Sequence, residues 1–271
     1  MIEQDERDVA SKHRVIEPSV LYVGTPVYLV ATQNPDGSAN LAPASSHFAL
    51  GRMLVLGLEE GGQSLDNLRR HRELTVNFPA ASQWTHVERL AGVTGKNPVP
   101  ADKAEQYEFE PHKFQRAGLS PEPSELVSVP RVAQAPLQLE ARVRRITPGV
   151  AGIYGMVEAE VVRVHAAENI AVAGTNHINP DAWHPLIYSY RHFYDRGGEV
   201  GWTRKSPLAT PPAAVDRWET AGGQWRVVSV DEHSATVELS RCDGGEVAEI
   251  LTLSSEHEIR WARVQLAIEG G

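Results

Sequence analysis

Asn40-Leu41-Ala42-Pro43-Ala44-Ser45-Ser46-His47-Phe48 sets small and hydroxylated residues around a proline, directly after a strand-like run. That run, Val27-Tyr28-Leu29-Val30-Ala31-Thr32, is apolar and partly β-branched, and the turn signal Asn34-Pro35-Asp36-Gly37 separates the two. The pattern predicts an antiparallel opening to the fold, continued by a further strand over Met53-Leu54-Val55-Leu56-Gly57-Leu58. Small side chains let a ligand approach the backbone, and serine hydroxyls donate to a phosphate or to a carbonyl oxygen. Taken alone, residues 40–48 serve equally well as a hairpin connection built from ordinary turn residues.

Working outward, Ser64-Leu65-Asp66-Asn67 predicts a short helix with Ser64 as its N-cap. The first turn of a helix carries free N–H groups and the positive end of the dipole, so a terminal phosphate suits that place. A plain cap is the simpler reading of such a tetrapeptide, and Asp66 already sets a carboxylate where the dipole favours an anion. Leu74-Thr75-Val76-Asn77-Phe78 then reads as a strand stopped by Pro79, and a second short helix follows with Trp84, Val87 and Leu90 on one face.

Residues 97–136 are rich in proline and charge, which predicts a long excursion with a helical turn or two. Two long β segments follow, Leu137 to Ile146 and Ile153 to His165, joined at Thr147-Pro148-Gly149. The polar stretch Leu208-Ala209-Thr210-Pro211-Pro212 suggests a boundary, dividing the chain into 1–209 and 210–271. The second part reads as a three-stranded meander, Gln224 to Val230, Ala235 to Arg241 and Glu246 to Leu253, with Asp243-Gly244-Gly245 as a tight turn. A closing helix starts at a capping box, Ser255 with Glu258, and Ile259, Ala262 and Leu266 supply its apolar face.

The bulk properties narrow the function. A formal net charge of −9 over 271 residues argues against nucleic acid as a partner, because phosphate binding needs clustered Lys and Arg. The charged opening residues and the lack of an apolar run of about 18 residues predict a cytoplasmic protein with no membrane partner. Cys242, the single cysteine, excludes an intrachain disulfide and a multi-thiolate metal site. His165, His177, His184 and His192, with Asp181, fall in one region but fit no compact ligand motif, so no metal is assigned. Arg191, Arg204 and Lys205 are candidate phosphate partners that read more simply as solvated charges.

Taken together, several motifs are specific. Asn40-x-Ala42-Pro43-x-Ser45-Ser46-x-Phe48, then Ser64-x-x-Asn67, then Val76-Asn77-Phe78-Pro79 resembles the N-terminal half of the flavin reductase-like, FMN-binding split-barrel family. Lys113-Phe114-x-x-Ala117-Gly118-Leu119, Val129-Pro130-Arg131-Val132 and Ala135-Pro136-Leu137-x-Leu139-Glu140-Ala141 resemble its middle section. Ile153-x-Gly155-x-Val157-x-x-Glu160-Val161 is similar to its late strand, and Pro185-Leu186-Ile187-Tyr188 with Tyr194 to its closing segment. The resemblance spans about residues 15 to 205 and implies a mainly-β fold: a Greek-key barrel of about six antiparallel strands, followed by the small β-meander and helix module. It also implies a homodimer with FMN near the subunit interface. The flavin-contacting segments of the family fall here on Asn40, Ala42, Pro43, Ser45 and Ser46, on Ser64 and Asn67, and on Asn77 and Pro79.

One departure bears on the chemistry. NAD(P)H-dependent members of the family carry Gly-Asp-His ahead of the late strand, where this chain has Gly149-Val150-Ala151-Gly152-Ile153. The expectation is therefore a flavin reductase-like oxidoreductase passing electrons through bound FMN, with NAD(P)H as a possible donor. Two other readings stay open: an FMN carrier or electron-transfer protein fed by another donor, and a barrel that binds or supports without flavin.

Overall fold

Tyr28, Leu29, Val30, Ala31 and Thr32 are all buried, because their strand has a packed core on each face. The computed structural model describes residues 13–179, 181–197, 199–202, 209–241 and 246–269. Cys242, the turn 243–245, Arg204, Lys205 and Leu208 lie outside them.

The strands are β1 (Val23–Pro26), β2 (Tyr28–Gln33), β3 (Ala39–Ala44), β4 (His47–Leu50), β5 (Met53–Glu59), β6 (Glu73–Phe78), β7 (Val93–Thr94), β8 (Glu108–Phe109), β9 (Pro121–Glu122), β10 (Arg131–Val132), β11 (Leu137–Pro148), β12 (Tyr154–Ala166), β13 (Ile187–Ser189), β14 (His192–Tyr194), β15 (Glu199–Trp202), β16 (Gln224–Val230), β17 (Ala235–Ser240) and β18 (Val247–Leu253). The helices are α1 (Gln63–Arg70), α2 (Trp84–Glu88), α3 (Lys113–Ala117), α4 (Ala213–Thr220) and α5 (Glu256–Glu269).

Seven of these strands form one antiparallel sheet in the order β3-β2-β6-β11-β12-β5-β4. Its two edges, β3 and β4, are consecutive in the chain and joined through Ser45-Ser46, so the sheet curls into a barrel. The family resemblance implies about six strands; the sheet has seven, with Ser45-Ser46 separating β3 from β4. Every second residue points inward: Leu54, Leu56 and Leu58, then Leu74, Val76 and Phe78, then Leu139, Ala141 and Val143, then Val157, Ala159 and Val161. Leu65 and Leu68 of α1 join this core. A side chain at Gly155 would stand 2.9 Å from a methyl of Leu65, so the glycine admits the helix. Burial of each Leu or Val here stabilises the fold by roughly 1.5–3 kcal/mol.

Leu29, Ala31 and Leu41 face the other way, into a second core with Trp84, Val87, Leu90 and Phe114. That core also receives Val264 of α5, and the Arg89 guanidinium donates two bonds, 2.7 and 3.2 Å, to the carbonyl of Ile268. The β16–β17–β18 meander has its own core, around Val237, Leu239 and Trp261, and rests on the barrel through α5. The capping box forms as read: Ser255 Oγ donates to Glu258 at 2.7 Å and accepts from its N–H at 3.3 Å. Helix α4, with Pro212 at its cap and buried Val215, is an addition to the sequence reading. Its two turns are too short to show a clear period.

The excursion of residues 97–136 is pinned by Glu140 of β11. This fully buried carboxylate accepts the N–H groups of Glu125 (2.9 Å), Leu126 (2.6 Å) and Val127 (3.1 Å) and pairs with His165 Nε2 at 2.7 Å. Burial pushes its pKa up, but the N–H donors of Glu125 and Leu126 and the His165 ring outweigh that and hold it below the ordinary glutamate value.

A lowered folded pKa stabilises the protein above the unfolded value, near 4.3, and that contribution fades as pH falls through the folded value. Glu140→Gln is therefore expected to lose about 1–3 kcal/mol at pH 7. The gap to wild type should shrink on acidification below about pH 4, as read by urea denaturation across pH. Val264→Asp, which buries an unpaired carboxylate, is expected to cost at least about 2 kcal/mol, or roughly 4–8 °C in melting temperature by calorimetry.

Candidate functional site

A cavity of about 770 Å³ opens beside the barrel closure. One wall is the end of β3 and the residues after it, Ala42 to Ser46, whose small side chains leave the backbone accessible. Val93 to Gly95 and α1 from Gly62 to Leu65 form the adjoining side, and Lys103, Tyr107 and Lys113 come from the long excursion. Ile153 and Tyr154 lie at the start of β12, and Tyr22, Tyr188 and Phe193 add aromatic surface.

The start of α1 is open. Its N-cap is Gly62, in extended backbone with no side-chain cap, and the first intrahelical bond runs from the Asp66 N–H to the Gly62 carbonyl. The N–H groups of Gln63, Ser64 and Leu65 meet no acceptor among the described residues. Ser64 therefore stands inside the first turn and is not the cap, a correction to the sequence reading; the helix starts one residue before it. Its hydroxyl accepts from Asn40 Nδ2 at 3.0 Å. Asp66 faces away from that role, paired with Lys96 and Arg69.

Of the residues singled out from sequence, Ala42, Pro43, Ser45, Ser46 and Ser64 line the cavity. Asn40 and Asn67 form a buried layer behind it. Asn40 also donates to Thr32 Oγ1 at 3.3 Å, and its Oδ1 meets no donor. A Cβ at position 95 would lie 2.7 Å from that oxygen, so Gly95 is needed for the close approach. Asn67 donates to Thr32 Oγ1 (3.0 Å) and Asn34 Oδ1 (2.9 Å) and accepts from Gln63 Nε2 (2.9 Å).

Asn77 and Pro79 do not line the cavity. Asn77 donates to the Leu29 carbonyl and Thr75 Oγ1 and accepts the Val132 N–H at 2.9 Å, while the Pro79 carbonyl receives the Leu186 N–H at 3.1 Å. These bonds tie segments of the fold together, which accounts for the motif without a ligand.

Ser46 is the hinge of the arrangement. Its carbonyl accepts the Gly57 N–H at 2.8 Å and the Tyr28 hydroxyl at 3.2 Å, and its Oγ lies 2.7 Å from the Tyr22 hydroxyl. Burial pushes the Tyr28 hydroxyl well above its ordinary pKa, so it remains a neutral donor.

Sequence reasoning missed Gln63, Lys103, Tyr107 and Lys113 as cavity residues. Lys113 appeared there only within a family motif, and a lysine in a polar excursion gives no local sign of burial. It is 4% exposed, and burial lowers its pKa to about 8, with the Glu110 carboxylate pulling the other way. The histidines separate: His165 bonds Glu140 and His184 bonds Asp195 at 3.0 Å. Among the described residues no three His, Cys, Asp or Glu gather as a metal site, and no helix is long and apolar enough to cross a membrane. The segment standing where Gly-Asp-His was sought is a 3-10 turn with Ala151 at φ 60°, and it leads to Ile153, which is 65% exposed.

Comparison with known proteins agrees with this architecture. The family model described as "Flavin reductase like domain" matches residues 21–197. The uncharacterized protein YdfE of Bacillus subtilis (strain 168) is 39% identical over 197 residues, covering 72% of this chain and 95% of that protein. Among solved structures, flavoredoxin of Desulfovibrio vulgaris (Miyazaki F) superposes with a TM-score of 0.57 at 18% identity, covering 72% of this chain and 99% of its own. Flavoredoxin from Methanosarcina acetivorans gives 0.54 at 18% identity over 72% and 97%, and nitrilotriacetate monooxygenase component B from Bacillus cereus gives 0.54 at 21% over 67% and 87%. At these identities the structures speak for the fold, which is the split barrel. With a closed barrel, a cavity at its seam and a family match over most of the sequence, the chain belongs to the flavin reductase-like family.

Proposed function

We propose that the cavity holds FMN and that the protein is a flavin-dependent oxidoreductase, working in the cytoplasm, whose electrons pass through the bound cofactor. The observation that carries this reading is the open first turn of α1: three N–H groups without acceptors at the edge of a 770 Å³ cavity. That volume suits a cofactor-sized ligand, and a helix start of this kind suits a phosphate group. FMN, when bound, supplies the redox chemistry.

The residues of the chain then divide the work. Gln63, Ser64 and Leu65 present N–H groups to the phosphate, and Asn40, by donating to the Ser64 hydroxyl oxygen, leaves the Ser64 O–H to donate to the phosphate as well. Ala42, Pro43 and Ala44 allow a flat ring to lie against the backbone, and Tyr22 and Tyr188 keep water from that side of the cavity. NAD(P)H remains a possible donor. The alternative of electron delivery from another source is favoured by Val150 to Ile153, where an apolar segment takes the place of the histidine motif. A homodimer fits the exposed Phe48 and Leu50, 60% and 78% exposed on edge strand β4, immediately after Ser46. A second copy would cover both that edge and the cavity beside it.

Purified protein incubated with FMN is expected to show an absorbance band near about 450 nm, with a dissociation constant at or below about 1 μM, equivalent to roughly −8 kcal/mol. Ser64→Ala should weaken binding by about 1.5–3 kcal/mol. Recovery of FAD from the protein, or of no flavin, would overturn the reading. In anaerobic stopped-flow, bleaching by NADH or NADPH is expected to be slow compared with dithionite; fast bleaching would restore direct nicotinamide use. Light scattering at micromolar concentration is expected to give twice the chain mass.

A further inference from the structure

The module of residues 210–271 lies outside the family match and carries most of the chain's net charge. It holds eleven acidic residues, five arginines and no lysine, a formal net of −6 out of −9 for the whole chain. Its sheet has the order β16-β17-β18, with α4 packed over β16 and α5 over β16 and β17. β18 is therefore an edge strand, and among the described residues its backbone pairs with β17 alone.

That edge lacks the usual protection. Sheet edges are blunted by short strands, by Lys or Pro, or by bulges that break the register. β18 runs for seven residues, Val247-Ala248-Glu249-Ile250-Leu251-Thr252-Leu253, without Lys or Pro. Its one bulge falls at Ala248, and from Glu249 to Leu253 the register with β17 is unbroken. The register also sorts its faces. Glu249, Leu251 and Leu253 stand opposite Leu239, Val237 and Ala235, which are buried in the module core, so Val247, Ile250 and Thr252 belong to the outer face. Val247 is 41% exposed and Ile250 63%. A free edge flanked by exposed apolar side chains suits strand addition, in which backbone bonds supply affinity and alternate side chains supply selectivity.

Charge decides the occupant. Glu246 and Glu249 are exposed at the start of β18, Glu256 just past its end, and Asp231 and Glu232 in the turn before Ala235, which pairs with Leu253. Of the nearby arginines, Arg226 pairs with Glu238 at 2.7 Å, Arg263 donates to the Asp231 carbonyl at 3.1 Å, and Arg241 ends β17 beside Glu246. A second copy of this chain would bring the same negative charge to the edge. A two-fold contact here, added to the one through β4, would also join dimers into an open chain.

We propose that β18 is the docking edge for a strand of a partner protein in which Lys or Arg alternates with apolar residues. Alternation sets the partner's apolar side chains on the face of Val247 and Ile250 and its cations on the face of Glu249. The inference is independent of what the cavity binds.

The test is fluorescence anisotropy of the full chain with labelled seven-residue peptides, the length of β18. A peptide of alternating lysine and valine is expected to bind with a dissociation constant below about 1 mM. The same peptide N-methylated at alternate backbone amides keeps its charge but cannot complete the edge bonds, and should bind at least about 10-fold more weakly. A peptide of alternating glutamate and valine should not bind. Glu246→Lys with Glu249→Lys is expected to weaken the lysine peptide roughly 2- to 30-fold, the span of two cross-strand charge pairs, and to admit the glutamate peptide. Ile250→Lys, at an exposed position, should weaken the lysine peptide and leave the melting temperature unchanged. Equal binding of the methylated and unmethylated peptides would show adsorption by charge alone and overturn the proposal. So would unaltered affinity in either variant, or no binding below about 1 mM. A mass above the dimer that Ile250→Lys abolishes would make the occupant a second copy, and equally overturn it. Should the charge-reversed chain not fold, amide exchange in wild type carries the same test: the lysine peptide should slow exchange in β18 and not in β16, and the reverse would overturn the assignment.

Discussion

The carbonyl of Ser46 holds the barrel shut, and much of the rest follows from that. A seven-stranded sheet has two edges with unpaired backbone groups, and here the chain itself passes from one edge to the other through Ser45 and Ser46. The Gly57 N–H continues the pairing of β5 past β4, and the Tyr28 hydroxyl reaches the same oxygen from inside the barrel. A side chain at position 57 would come within 3.1 Å of Ser46 Cβ, so the closure requires glycine on one strand and a small residue on the other. The same two serines face the cavity. The seam that closes the fold therefore forms one wall of the site, and small residues there satisfy both requirements.

Behind the site lies a layer of polar side chains that the barrel buries at some cost and then satisfies. Thr32 Oγ1 accepts from both Asn40 and Asn67, Asn67 accepts from Gln63, and Asn40 donates to Ser64. Four elements, β2, β3, α1 and the turn at Asn34, are locked together by these bonds. A buried polar network of this kind fixes geometry more sharply than an apolar one, because any shift leaves a donor or acceptor unpaired. Asn67 positions the start of α1 from behind, so an asparagine that resembles a ligand contact in sequence acts one layer back.

How much of this was legible in the sequence depended on whether the signal was local. Tyr28 to Thr32, Met53 to Leu58 and Leu74 to Phe78 declare their strands through composition and period, and Ser255 with Glu258 declares the start of α5. The small residues from Ala42 to Ser46, singled out as letting a ligand approach the backbone, line the cavity. Ser64 misled as a cap because Gly62, which caps through backbone conformation alone, leaves no side-chain signature. Asn77 and Pro79 were drawn toward the ligand by their place in a motif, although the bonds they make are to Val132 and Leu186, far along the chain. Lys113 and Tyr107 were invisible as site residues, since their approach to the cavity depends on how a long irregular segment folds back.

That segment is irregular in form but held at both ends, which is what lets it serve as a wall. At its start, β7 pairs with β8 and Gly95 is wedged against α1. At its end, Glu140 gathers three successive N–H groups, and Arg131 reaches Gln138 and the Pro123 carbonyl. Phe114, Ala117 and Leu119 fix the middle in the outer core. Long loops are usually the mobile part of a domain, and a buried charge on a mobile loop would simply swing out to water. Lys113 stays in because the residues on either side of it are anchored by backbone bonds and apolar packing. Glu140 never touches the cavity, yet by accepting the N–H groups of residues 125–127 it fixes the far end of the segment whose earlier part, Lys103, Tyr107 and Lys113, forms the cavity wall.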